Sequence, residues 1–186
     1  MLDSGLHKRL ASGDGEAVTN EESSEQALFG HPGLSDGRQS EKAIAIARGV
    51  RRQLHMLGFH SMTELTLSNG RRADIVALSQ TGEIWILEIK SSVEDFRSDH
   101  KWPEYQEYAD RLFFAVDADF PTDILPADTG LMIADRFGGE VIRMATKHTL
   151  AAARRKALTL RIARAACNRL HNLADPDLAN DMPRIS

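Results

Sequence analysis

The stretch Ile84-Trp85-Ile86-Leu87-Glu88-Ile89-Lys90 decides the reading of this chain. Its apolar run predicts a strand, and alternate residues of a strand share a face. Trp85, Leu87 and Ile89 then turn to one side, and Glu88 and Lys90 to the other. A strand that buries one side has little reason to carry two opposite charges on the other. Upstream, Asp74 opens a second apolar run, Ile75-Val76-Ala77-Leu78, and 13 residues separate it from Glu88. Ser79-Gln80-Thr81-Gly82 supplies a turn between the runs. Two carboxylates and a lysine would thus converge at a sheet edge. Such a set suits a divalent cation beside a phosphodiester, because Mg²⁺ takes carboxylate oxygens and shares its remaining positions with water and phosphate. The lysine would orient or activate the attacking water and offset transition-state charge. The competing reading is a surface ion pair on an edge strand.

A chain of 186 residues predicts one domain with a tail, large enough for a core without disulfides. The single cysteine, Cys167, excludes an internal disulfide and a multi-cysteine zinc site. No signal-like start or membrane-length apolar run is present, so the expected location is the cytoplasm. The net charge of −4 is unevenly distributed. Residues 1–40 hold seven acids and three bases, whereas residues 141–174 hold eight bases and no acid. That local excess suits a polyanionic partner.

Residues 1–38 show no sustained apolar period and predict a disordered acidic tail. Ser40 is a candidate N-cap for a helix carrying Ala43, Ile46, Ala47, Val50, Leu54 and Leu57 at helical spacing, stopped at Gly58. Strands are expected at 59–67, 72–78 and 83–90, the first two joined through Asn69-Gly70. A polar connection follows Ser91-Ser92. A helix with Pro103 in its first turn, ending near Arg111, precedes a strand at 112–116. A hairpin over 130–134 and 141–144, and a basic helix over 150–173, complete the domain, with 175–186 as a C-terminal tail.

The order helix, three strands, helix, strand, with Asp74 and Glu88-Ile89-Lys90 on neighbouring strands, resembles the PD-(D/E)xK nuclease superfamily. The expected fold is therefore α/β: a restriction-endonuclease-like αβββαβ core with a mixed central sheet, an extra C-terminal hairpin and a long C-terminal basic helix. Longer stretches narrow the resemblance. Glu64-Leu65-Thr66-Leu67 leads into Gly70-Arg71-Arg72-Ala73-Asp74. The central strand continues into Ser91-Ser92, Lys101-Trp102-Pro103-Glu104-Tyr105 precedes Phe114-Ala115-Val116, and Ala152-Ala153-Arg154-Arg155-Lys156-Ala157 opens the last helix. Together, over roughly residues 40–172, they are similar to the MmcB family of bacterial DNA repair proteins. The resemblance implies a role in DNA damage tolerance, DNA as partner, and repair or translesion proteins as further partners.

On that resemblance Asp74 and Glu88 hold Mg²⁺ or Mn²⁺, the backbone carbonyl of Ile89 adds an oxygen, and Lys90 is the catalytic lysine of a DNA endonuclease or exonuclease. The competing roles are an Asp74 paired with Arg71 or Arg72 and a solvated Lys90 neutralising Glu88. Glu64 joins the site if the first hairpin loop has three residues, which sets it opposite Asp74. With a two-residue loop it pairs with Ile75 and faces away. Glu41 suits the start of a helix dipole. Candidate nucleic-acid contacts are Arg71, Arg72, Lys101, Tyr105, Arg154 and Arg155, while Trp102 is expected to pack between helix and sheet. Gln106 and Tyr108 do not match the Q-x-x-x-Y element of some relatives. No histidine is assigned to metal, and Cys167 is expected to be buried. The rival function is a nuclease-like module that binds damaged or branched DNA, or a repair protein, without cutting. Nothing in the residues themselves separates DNA from RNA.

Overall fold

The structure is a computed structural model that describes residues 41–177. The expected acidic tail 1–38, the cap at Ser40 and residues 178–186 lie outside them. Helix α1 (Glu41–Met56) turns Ile46, Gly49, Val50 and Leu54 inward and ends at Gly58, whose φ of 79° is the left-handed conformation of a helix stop. Leu57 falls beyond the buried stripe and is exposed.

Three strands follow: β1 (Phe59–Thr66), β2 (Arg72–Ser79) and β3 (Ile84–Ile89). The first hairpin loop has three residues. Leu67 N–H donates to the Arg71 carbonyl at 2.7 Å, and Gly70 takes a φ of 80°. The chain then crosses over and returns as β4 (Arg111–Val116), β5 (Gly130–Ala134) and β6 (Gly139–Arg143). The six strands form one mixed sheet in the order β1-β2-β3-β4-β5-β6. β3, β4 and β5 run parallel, and the other neighbours pair antiparallel.

One face of the sheet carries Ile75, Ala77, Trp85, Leu87, Phe113, Ala115 and Met132 against α1. Trp85 sits between Phe59 and Phe113, with ring centroids 4.3 and 4.6 Å away. The other face carries Val76, Ile84, Ile86 and Leu112 beneath the crossover and the C-terminal helix α3 (Ala152–Ala174). α3 packs through Arg155, Leu158, Ile162, Ala165 and Arg169, a helical stripe that leaves its other sides in water.

Two expectations change in the crossover. The connection after Ser92 holds a short helix, α2 (Val93–Ser98), capped by Ser92 Oγ accepting from Asp95 N–H. The segment expected as an α-helix from Pro103 to Arg111 is instead a 3₁₀ helix, Trp102–Tyr108. Its aromatic residues recur every third position. Three residues per turn put Trp102, Tyr105 and Tyr108 on one side, where all three meet the sheet face of Val76, Ile84, Ile86 and Leu112. Cys167 is exposed, because the helical period turns it away from the Ala165–Arg169 stripe.

Candidate active site

The register of β2 and β3 sets Ile75 opposite Leu87 and Val76 opposite Ile86, so one step further Asp74 faces Glu88. Two backbone hydrogen bonds tie the pair together. Ile89 N–H donates to Asp74 Oδ2 at 2.8 Å, and Asp74 N–H donates to Glu88 Oε1 at 3.3 Å. Glu88 and Lys90 continue the side of β3 that carries Ile84 and Ile86, at only 3% and 4% exposure. Asp74, Glu88 and Lys90 are thus brought together. They lie over the interior strands β2 and β3 rather than at a sheet edge, because three further strands flank β3.

This setting loads the carboxylates. Burial is the main force that pushes the Asp74 carboxyl up from 3.8 to about 6, and the Glu64 and Asp95 charges add to it. Ile89 N–H and Lys90 work against that rise. Glu88 is raised well above its ordinary value, first by burial and then by Asp74. The lysine is not in water either. Its Nζ lies 2.6 Å from Asp99 Oδ2. Burial acts to lower the Lys90 ammonium, but the Asp99 hydrogen bond and the Asp99, Glu88 and Asp95 charges outweigh it and hold it raised. Asp99 is the site residue that the sequence reading missed. It follows α2 and accepts Lys101 N–H at 2.8 Å through its other oxygen.

Glu64 takes the place that the three-residue loop gives it, across from Asp74. Thr63 pairs with Ile75 and Leu65 with Ala73, while Glu64 drops out of the ladder at a φ of 54°. A left-handed glutamate is strained. Arg169 of α3 donates to the carbonyls of both Thr63 and Glu64, at 2.6 and 3.2 Å, and so holds the kink.

The candidate nucleic-acid contacts are mostly engaged within the protein. Arg71 makes two 2.8 Å hydrogen bonds to Glu104, and Arg72 Nε lies 2.5 Å from Glu64 Oε2. Neither arginine pairs with Asp74. Arg154 binds the Glu107 carbonyl and carboxylate at 3.0 and 3.1 Å. Arg155 forks onto the buried Asp110 through two 2.7 Å hydrogen bonds and so ties α3 to the sheet. Tyr105 is buried and donates its hydroxyl to the Arg72 carbonyl, so its ring is core rather than a stacking platform. Lys101 is exposed. Trp102 packs edge-on to Phe114.

Among the described residues, no group of three or more His, Cys, Asp or Glu side chains is placed to hold a metal, and no helix is long and apolar enough to cross a membrane. A Mg²⁺ ion needs only one or two carboxylates, since it keeps several waters. The Asp74–Glu88 pair meets that requirement, with a negative charge that Lys90, already held by Asp99, does not neutralise alone.

A mixed six-stranded sheet bearing paired carboxylates and a buried lysine over its interior strands defines an α/β protein. The chain belongs to the MmcB-like DNA repair protein family, whose model matches residues 30–177. It is also similar in structure to SPO1766 from Silicibacter pomeroyi, a solved protein of unknown function. The TM-score is 0.73 at 42% sequence identity, covering 80% of this chain and 100% of that one. No curated protein matches.

Proposed function

We propose that this protein is a Mg²⁺- or Mn²⁺-dependent DNA nuclease acting in repair, built on a restriction-endonuclease-like core. The observation that carries the reading is the Asp74–Glu88 pair: two opposed carboxylates, one half-buried and one buried, raised by their setting, with Lys90 on the same side. Family membership supports a DNA repair role. Asp74 and Glu88 would hold the ion. The Ile89 carbonyl leaves β3 toward β2, as its N–H does, because both groups of a strand residue point to one neighbour. It is the third candidate oxygen. The ion would lower the pKa of a bound water and polarise the phosphate.

The remaining steps fall to the chain itself. Lys90, held charged by Asp99, acts as a cation that meets phosphate oxygen and offsets developing charge. It is not placed to take a proton. Asp74 and Glu88 must be ionised to hold a metal, which selects against acid conditions. The non-cutting, DNA-binding reading is favoured by one observation: the Lys90 ammonium is engaged by Asp99 rather than free.

The test is incubation of single-stranded, nicked, flapped and duplex DNA with Mg²⁺ or Mn²⁺, alongside the Asp74→Asn variant. Cleavage by the wild type alone, with DNA affinity retained in the variant, supports the nuclease. Binding without cleavage under either metal establishes the binding module instead. Full cleavage by Asp74→Asn refutes the site.

A further inference from the structure

The crossover places a further acid, Asp99, directly on the Lys90 ammonium. Lys90 directly follows β3 on the Asp74–Glu88 side, and its side chain is almost fully enclosed. Its Nζ is 2.6 Å from Asp99 Oδ2. Asp99 is itself held in place. Its backbone N–H caps α2 by donating to the Phe96 carbonyl, and Oδ1 accepts Lys101 N–H.

The segment bearing Asp99 packs on the fold through partly buried side chains. α2 buries no residue completely. Its attachments include Val93, Phe96 and Trp102 packed against the cluster around Phe114 and Leu131, the Ser91 N–H to Asp95 bond, and the Lys90–Asp99 pair. A carboxylate and a phosphate oxygen offer an ammonium the same kind of partner. Only one of them can take the contact that Asp99 now makes.

We propose that Asp99 is an internal stand-in for phosphate. It latches Lys90 in the DNA-free protein, and the incoming phosphodiester displaces it. The proposal rests on the reading of this site as one that receives DNA, and it holds whether or not the DNA is cut. It makes Asp99 a residue that sets the affinity of the site: the latch keeps Lys90 ordered, and each binding event must break it.

The experiment is a fluorescence-anisotropy titration of a labelled duplex in Ca²⁺ buffer. The proteins are wild type, Asp99→Asn, Lys90→Met and the double variant, with Glu94→Gln as an exposed-charge control on the preceding helix, α2. Asparagine keeps an oxygen for Lys101 N–H and removes the charge. Asp99→Asn is expected to bind about 5-fold tighter, equivalent to about 1 kcal/mol. The same change in the Lys90→Met background, and Glu94→Gln alone, are expected to shift affinity less than about 2-fold. Thermal melts of each variant verify folding, and the double variant read against Lys90→Met carries the comparison if Asp99→Asn is less stable.

A gain that persists without Lys90 is a general charge effect and overturns the latch. So does wild-type binding with no gain in Asp99→Asn, which leaves the proposed function standing. Wild type that binds no DNA overturns both.

Discussion

Asp74→Asn should stabilise the metal-free protein above neutral pH. The structure gives the cause: an acid raised from 3.8 to about 6, chiefly by burial, that must still ionise as pH rises. Such an acid binds its proton more tightly folded than unfolded. Its penalty is absent below about pH 4, grows from there to about pH 6, and is complete above it, so stability falls with rising pH. A displacement from 3.8 to about 6 corresponds to roughly 3 kcal/mol at most. Glu88 and Lys90 share the field, so ~1–3 kcal/mol is the expected gain. Asparagine preserves an oxygen for Ile89 N–H and removes the charge. In a domain of this size the gain is a midpoint increase of roughly 3–9 °C. The assay is thermal denaturation in EDTA at about pH 8 and at about pH 4, where the two proteins should converge. Added Mg²⁺ should then raise the wild type and not the variant. A variant less stable than wild type at the higher pH refutes the reasoning. So does an equal gain at both pH values, since it would not come from ionisation.

Mg²⁺ affinity should fall as pH drops through about 6, where Asp74 takes up its proton, and protonation of the raised Glu88 adds to the loss; titration calorimetry in buffers of different ionisation enthalpy reads the proton release directly. Arg155→Ala should cost about 2–4 kcal/mol in denaturant unfolding, because it strands the Asp110 carboxylate at 1% exposure. Lys156→Ala and Arg164→Ala remove exposed bases on the outer side of α3. Each should leave stability within about 0.5 kcal/mol and reduce the salt slope of DNA binding by about one.

The sheet was legible because its strands bury both faces and its turns carry local chemistry. Asn69-Gly70 marks the first hairpin, and the left-handed Gly70 closes it. The crossover was harder, although it carried a signal. Ser92-Val93-Glu94-Asp95 is a helix-start pattern, and Ser92 caps α2 as that pattern implies. The aromatic period of three at Trp102, Tyr105 and Tyr108 distinguishes a 3₁₀ turn from an α-helix. Pro103 fits the first turn of either, so it could not decide.

The site divides along a similar line. Asp74, Glu88 and Lys90 were readable because strand alternation and hairpin register are local rules that fix which side chains share a face. Asp99 was not, because the crossover brings it to Lys90 by packing, and no spacing rule links them. The basic helix lies between these cases. Its composition points outward to a polyanion, but its period does not point every arginine there. Arg155, Leu158, Ile162, Ala165 and Arg169 share one face, and that face is the one that packs. Arg155 holds Asp110, and Arg169 holds the kinked backbone at Glu64. Both bases are therefore engaged within the fold, and Arg169 alone of the two supports the site. A contact with DNA along α3 must come instead from bases off that stripe, such as Lys156 and Arg164.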